Sequence, residues 1–275
     1  MLPFTSLWFH DPAQEAAFGE AYFLLYFQLM SRLFRFIRLV IVPVFLVTRY
    51  FELHFSWVGV ATFVHGVGLV GLDCFNHVMG ARLGSTARIR LTIFDRVTTV
   101  AGIFLDISSF KEPVTSPWSL VRFLGLNSGV VPLIMVTFGI PLLSRHHLAV
   151  QIPTMVVLGY VAAPRMCAVA ISAPESGYYI TTTWRVVHNL FTAAPMDLPA
   201  PEVAVCCRTL LVLEQVVVGL LVPSYALWAT EYINRSRFRR SRLQHMTGRF
   251  VGLHCLLIGC YMGCLWLILN IRLWL

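Results

Sequence analysis

The chain has 275 residues, 57% of them hydrophobic and only 12% charged, with a formal net charge of +8 and a mean hydropathy of +0.73. Soluble globular proteins carry about 25% charged residues, so this composition leaves too little polar surface for a water-soluble domain, and lipid is the remaining solvent. Each span takes ~20 residues plus a connection, which leaves room for about six to eight spans and no sizeable soluble domain.

Of the 21 basic residues, only Lys111 is a lysine. They lie in separate short segments between apolar runs, which reads as cytoplasmic anchoring and argues against a nucleic-acid partner. The first arginine is Arg32, so no basic segment precedes an apolar core. That argues against a cleaved leader, and the first span is expected to act as the insertion signal.

Residues 1–38 read as a cytoplasmic and interfacial segment. Asp11, Glu15 and Glu20 keep its start polar. Arg32, Arg35 and Arg38 recur every third residue, which places them on one helical side, snorkelling to headgroups. The bundle then occupies 39–275. Its spans are expected at 39–55, 57–75, 93–110, 119–143, 148–172, 207–230 and 250–270. A long connection rich in Pro and Tyr separates the fifth from the sixth, at 173–204. The most basic stretch, 234–249, precedes the last. Trp57, Trp118, Trp228 and Trp274 fall near span ends, as an aromatic belt requires.

The span at 93–110 holds Asp95, Arg96 and Asp106. Its case rests on charge parity and periodicity. With 234–249 in the cytoplasm by the positive-inside rule, 145–147 is also inside. Only an added helix at 93–110 puts 76–92 and the N-terminal arginines on that side too. Asp95, Thr99, Gly102, Asp106 and Ser109 recur along one helical face, and Ile93, Val97, Val100 and Phe104 along the other. The reading is an all-α polytopic transmembrane helical bundle of about seven spans, N-terminus cytoplasmic and C-terminus outside. The Asn234-Arg235-Ser236 sequon is then cytoplasmic and expected to stay unglycosylated.

Ionisable residues inside spans are costly and mark candidate sites. Asp95, Thr99 and Asp106 share one face, where a carboxylate can relay a proton or bind a cation. Glu214 lies within the sixth span, and Arg165 after Pro164 is a candidate partner for it. Arg235, Arg237, Arg239, Arg240 and Arg242 are candidate contacts for anionic lipid on the cytoplasmic leaflet. His65 and His254 lack the second pair that a b-type haem bundle needs. The seven cysteines lie in or beside apolar segments without metal-ligand spacing and read as small buried hydrophobes. They imply no disulfide framework. No cofactor or metal is expected. No nucleophile elbow, P-loop, HExxH or GxGxxG occurs, so the chain reads as non-enzymatic.

The segment Phe9-x-Asp11-Pro12-x-x-Glu15-x-x-Phe18, followed by arginines and a span, resembles the lead-in to the membrane modules of microbial and algal receptor-type nucleotide cyclases. No cyclase domain follows the sixth span here. The resemblance implies a stand-alone sensory or structural membrane module and transfers no catalytic residue. Two functions follow as expectations: a sensor-like module or subunit of a membrane complex, with other membrane subunits as partners; or a proton- or cation-coupled transporter or channel using the intramembrane carboxylates.

Overall fold

The architecture is given by a computed structural model that describes residues 7, 9, 11–22, 28–53, 57–79, 83–108, 110–192, 200–238 and 248–270. Among these residues there is no strand; the regular structure is helical throughout. The helices are α1 (Pro12–Ala21), α2 (Gln28–Leu53), α3 (Trp57–Met79), α4 (Ser85–Ser108), α5 (Pro117–Arg122), α6 (Val130–Gly139), α7 (Ser144–Val157), α8 (Ala163–Ala170), α9 (Ser176–Thr192), α10 (Val203–Glu214), α11 (Val222–Phe238) and α12 (Gly248–Asn270). π-helical turns at Phe123–Asn127, Leu158–Ala162 and Gln215–Leu221 adjoin the α-helical runs.

Among the described residues, five helical stretches are long and apolar enough to cross a membrane: Trp57–Asn76, Pro117–Gly139, Ser144–Ala170, Val203–Phe238 and Val251–Asn270. They coincide with five of the expected spans. Their apolar side chains face outward, as at Trp57, Val64, Tyr160 and Leu256. Such a surface is compatible with contact to lipid. The two other expected spans fall in α2 and α4, of 26 and 24 residues. Each is long enough to cross, since a helix rises about 1.5 Å per residue. Each carries too many charges to pass on hydropathy alone.

The expected connection at 173–204 is in large part a helix, α9. Its buried residues Ser176, Ile180, Trp184 and His188 step by four along one stripe. That is the amphipathic pattern of a helix lying on a neighbour, and its mixed composition hid it from a search for apolar runs. The basic stretch also begins inside a helix, because α11 continues to Phe238.

The chain divides into two compact units. One comprises Met1–Ser109, Leu133–Gln151 and Pro223–His245; the other comprises Phe110–Pro132, Ile152–Val222 and Met246–Leu275. In the first, α2, α3 and α4 pack in sequence. Gly102 of α4 lets His65 of α3 approach, since a Cβ there would sit 2.5 Å from the imidazole Cε1. The His65 Nε2–H then donates to the Thr98 carbonyl at 2.7 Å, a structural role for that histidine. A second core gathers Phe18, Tyr22, Leu143 and Leu227.

In the second unit α10 packs on α8, α9 and α12. A disulfide joins Cys167 of α8 to Cys207 of α10 across 40 residues of sequence. Sequence spacing gave no sign of it, because Cys167 and Cys207 lie in separate apolar helices and Cys207 has Cys206 as its neighbour. Closing a loop of that length removes about 4 kcal/mol of chain entropy from the unfolded state in the chain-entropy account. Cys74, Cys206, Cys255, Cys260 and Cys264 are free. Denatured, unreduced protein should therefore label at five thiols, and at seven after reduction. Seven without reductant would remove the crosslink.

Candidate functional site

Among the described residues, three polar clusters hold candidate site residues. The first joins α2, α3 and α4. Arg38 is only 5% exposed, and so are Asp73 and Asp95, at 2% each. The Arg38 guanidinium meets Asp73 with two nitrogens, Nε at 2.7 Å from Oδ2 and Nη2 on Oδ1. Its Nη1 donates to Asp95 Oδ1 at 2.8 Å and to Thr99 Oγ1 at 2.7 Å. Thr99 passes its own proton to the Asp95 carbonyl at 2.7 Å. Such a fork-and-carboxylate pairing is directional and strong. It is also what a charge needs when no water is at hand. Arg38 thus departs from the snorkelling expected for its arginine series: Arg32 is exposed, while Arg38 turns inward.

Arg96 follows Asp95 in sequence and so points about 100° away around α4. It is fully buried, and the groups it touches are neutral. Nη1 donates to the Val136 and Ile140 carbonyls at 2.9 and 3.3 Å, and Nη2 to Thr137 Oγ1 at 2.5 Å and Gln151 Oε1 at 2.9 Å. The two carbonyls belong to the C-terminal end of α6, where the helix dipole is negative. His147 Nδ1 lies 3.4 Å from Nη2. A guanidinium can only donate, so the ring proton is on Nε2, which lies 2.9 Å from Ser224 Oγ. Over the two clusters, Arg38 and Arg96 balance Asp73 and Asp95.

The second place holds α1 on α11. Asp11 caps α1 by accepting from the Ala13 N–H at 2.9 Å, with Pro12 at the first helical position. Glu15 reaches back to the Phe9 N–H at 3.2 Å. It grips Arg235 with both oxygens, at 2.5 and 2.8 Å. Arg235 also bonds Glu231 at 2.8 Å, and Glu231 accepts the Ser144 N–H at 2.7 Å, the first turn of α7. The guanidinium carbon lies 5.0 Å from the Phe9 ring centre and 4.3 Å from that of Phe18, within cation–π range. The lead-in motif is therefore a latch whose Phe, Asp, Pro, Glu and Phe each have a physical task. Arg235 does not serve as the lipid contact expected of it, because it is only 7% exposed and doubly ion-paired.

The third place is Glu214, at the end of α10. The Ser128 hydroxyl donates to its Oε1 at 3.5 Å, and its Oε2 is buried with no partner among the described residues. Next to it, Gln215 donates its amide to the Ser128 carbonyl at 3.2 Å, while its Oε1 is likewise unpartnered. Arg165 is exposed and forms no ion pair with Glu214, against the pairing expected from sequence. Asp106 has its backbone in α4, but its side chain lies outside the described residues. Arg237 is exposed, and Arg239, Arg240 and Arg242 lie outside the described residues.

Sequence reasoning marked Asp95, Thr99 and Glu214. It missed Arg38 and Asp73 as partners of Asp95, and the Arg96 cradle. The available signal for the first was charge balance: an Asp buried on α4 calls for an Arg at matching height on a neighbouring helix. Among the described residues, no group of three or more His, Cys, Asp or Glu is placed to hold a metal ion. An open groove of about 570 Å³ runs along Phe75, Leu83, Thr86, Ala87, Leu91 and Phe94, with Arg90 as its charged residue.

No known protein family matches the chain, and no curated protein or solved structure matches it either.

Glu15 lies outside the spans. Burial raises its pKa, but hydrogen bonds from Arg235 and the Phe9 N–H, with the Arg235 charge, hold it below the ordinary value of 4.5. The latch is therefore complete above the ordinary carboxylate range and weakens as the pH falls through the lowered value. Arg235→Ala should raise amide exchange across 12–21 at least tenfold at neutral pH and leave α3 unchanged. Acidification of wild type below pH 4.5 should loosen the same segment. Exchange that ignores the substitution would count against the latch.

Proposed function

We propose that this chain is a seven-span membrane module without enzyme chemistry of its own, acting as a sensor-like module or as a subunit of a membrane complex. Its N-terminus faces the cytoplasm and its C-terminus the outside. The reading is carried by the ionic cluster of α2, α3 and α4. Those carboxylates are locked in bidentate or charge-assisted pairs with Arg38, whereas a transport relay needs groups that load and unload. Pairing also explains how charged α2 and α4 can cross lipid, which brings five apolar spans to seven.

The disulfide supports the orientation. Cys167 lies near the C-terminal end of the helix Ser144–Ala170, and Cys207 near the N-terminal end of Val203–Phe238. Arginines 145, 235 and 237 lie at the other ends. Disulfides persist on the oxidising side of a membrane and arginines collect on the cytoplasmic side. Arg165 and Arg208 lie beside the disulfide, so the agreement of the two rules rests on the larger basic run that begins at Arg235. A sensory role fits the latch, which ties the N-terminal segment to the cytoplasmic end of a spanning helix. Arg237 and the arginines after it are left for anionic headgroups, at roughly 1 kcal/mol each.

The second reading, a cation-coupled transporter or channel, is favoured by Glu214, whose buried Oε2 has no partner among the described residues. Flux in proteoliposomes separates the two. The module reading predicts no proton, sodium or potassium flux above protein-free vesicles. A flux abolished by Glu214→Gln and retained in Asp95→Asn would overturn it in favour of transport.

A further inference from the structure

The oxygens around Ser128 ask for a positive ligand. Glu214 lies within the apolar run between Arg208 and Glu231. Both Arg208 and Arg165 are exposed, so neither neutralises it. Ser128 is fully buried and Gln215 is 1% exposed, and both side chains of the Glu214-Gln215 pair engage the same serine. What remains unsatisfied is one carboxylate oxygen and one amide oxygen. Both are acceptors, and a buried acceptor without a donor costs about 1–3 kcal/mol, more when charged.

The backbone here is also irregular in a way that builds sites rather than packing. The π turn Phe123–Asn127 ends in the wide bond from the Ser128 N–H to the Phe123 carbonyl, 2.9 Å. Gly129 then takes φ 81°, a left-handed conformation that favours glycine, and α6 starts afresh. A second π turn begins at Gln215 itself. Its Gly219 lies against Val130 and Met155, and Gly159 of the third π turn lies against Val212. One π turn thus leads into Ser128 and another starts at Gln215, directly after Glu214, and π-bulges occur frequently at functional sites.

We propose that Ser128, Glu214 and Gln215 form a binding site for one small monovalent cation of the sodium or potassium class. Oxygen ligands select hard cations over soft ones. A single carboxylate is neutralised by one positive charge; a divalent ion would leave a net charge in an apolar setting, which is costly. The site underlies the cation-coupled reading above, but equilibrium binding and flux are separate readouts. Binding without flux leaves the site standing and removes transport.

The test is radioactive sodium binding to the full-length chain in nanodiscs of zwitterionic lipid, in choline buffer, with potassium as competitor. The expected result is saturable binding of about one ion per chain. It should be lost in Glu214→Gln, weakened at least tenfold in Ser128→Ala, and unchanged in Arg165→Gln. Gln215→Leu, which keeps the carboxylate, should weaken binding while the protein elutes as wild type, guarding against a misfolded Glu214→Gln. Absence of saturable binding of either ion would overturn the proposal, as would binding indifferent to Glu214→Gln and Ser128→Ala. So would a Glu214 carboxyl infrared band that responds to pH and not to sodium or potassium, since the ligand would then be a proton alone.

Discussion

A charge buried among packed helices must find a counter-charge or a cradle of dipoles within the protein, and the first unit is organised by that constraint. Moving an ion out of water costs several kcal/mol even after relaxation, and only close, well-directed pairing offsets it. Arg38 meets the requirement for α2, α3 and α4 at once by holding Asp73 and Asp95 on the two neighbouring helices. Because the guanidinium fork is rigid, the pairing also fixes rotation and depth for each helix. Close packing follows from it, including the approach of His65 to Gly102 one turn from Thr98.

The same constraint gives the two units different characters. In the first, buried charges are matched or cradled: Arg38 by two aspartates, Arg96 by carbonyls, Thr137 and Gln151, and Arg235 by Glu15 and Glu231. Matched charges hold geometry. In the second, a disulfide joins α8 to α10, and Trp184 and His188 of α9 meet Trp266 of α12 as tilted rings. There Glu214 and Gln215 keep acceptor oxygens without partners among the described residues. Structural pairing and available ligand oxygens are thus separated along the chain.

Much of the helical layout was legible because apolar runs of sufficient length have one reading in a chain with so few charges. The five stretches that are long and apolar enough to cross, among the described residues, fall where hydropathy places them. The polar stripe Asp95, Thr99 and Gly102 on α4 is the face that meets α2 and α3, as its period implied. Other features needed three dimensions. Arg235 reads as one more solvated arginine in a basic run, since its partner Glu15 is 220 residues away. Cys167 and Cys207 carry no spacing signal at 40 residues apart. Helix α9 interleaves polar and apolar residues, so only its four-residue burial step reveals it. Of the candidate site, Asp95 and Glu214 could be found as carboxylates set in largely apolar helical segments, but whether each was paired could not.

The central claim is that Arg38 is held in place by Asp73 and Asp95 as buried charge pairs. The direct measurement is a charge-balance series on the unfolding midpoint in lipid nanodiscs. Removing Arg38 alone, as Arg38→Met, strands two buried carboxylates and should cost about 3–5 kcal/mol. Removing all three charges, with Asp73→Asn and Asp95→Asn added, should recover a large part of that loss. A triple variant less stable than Arg38→Met alone would contradict the account.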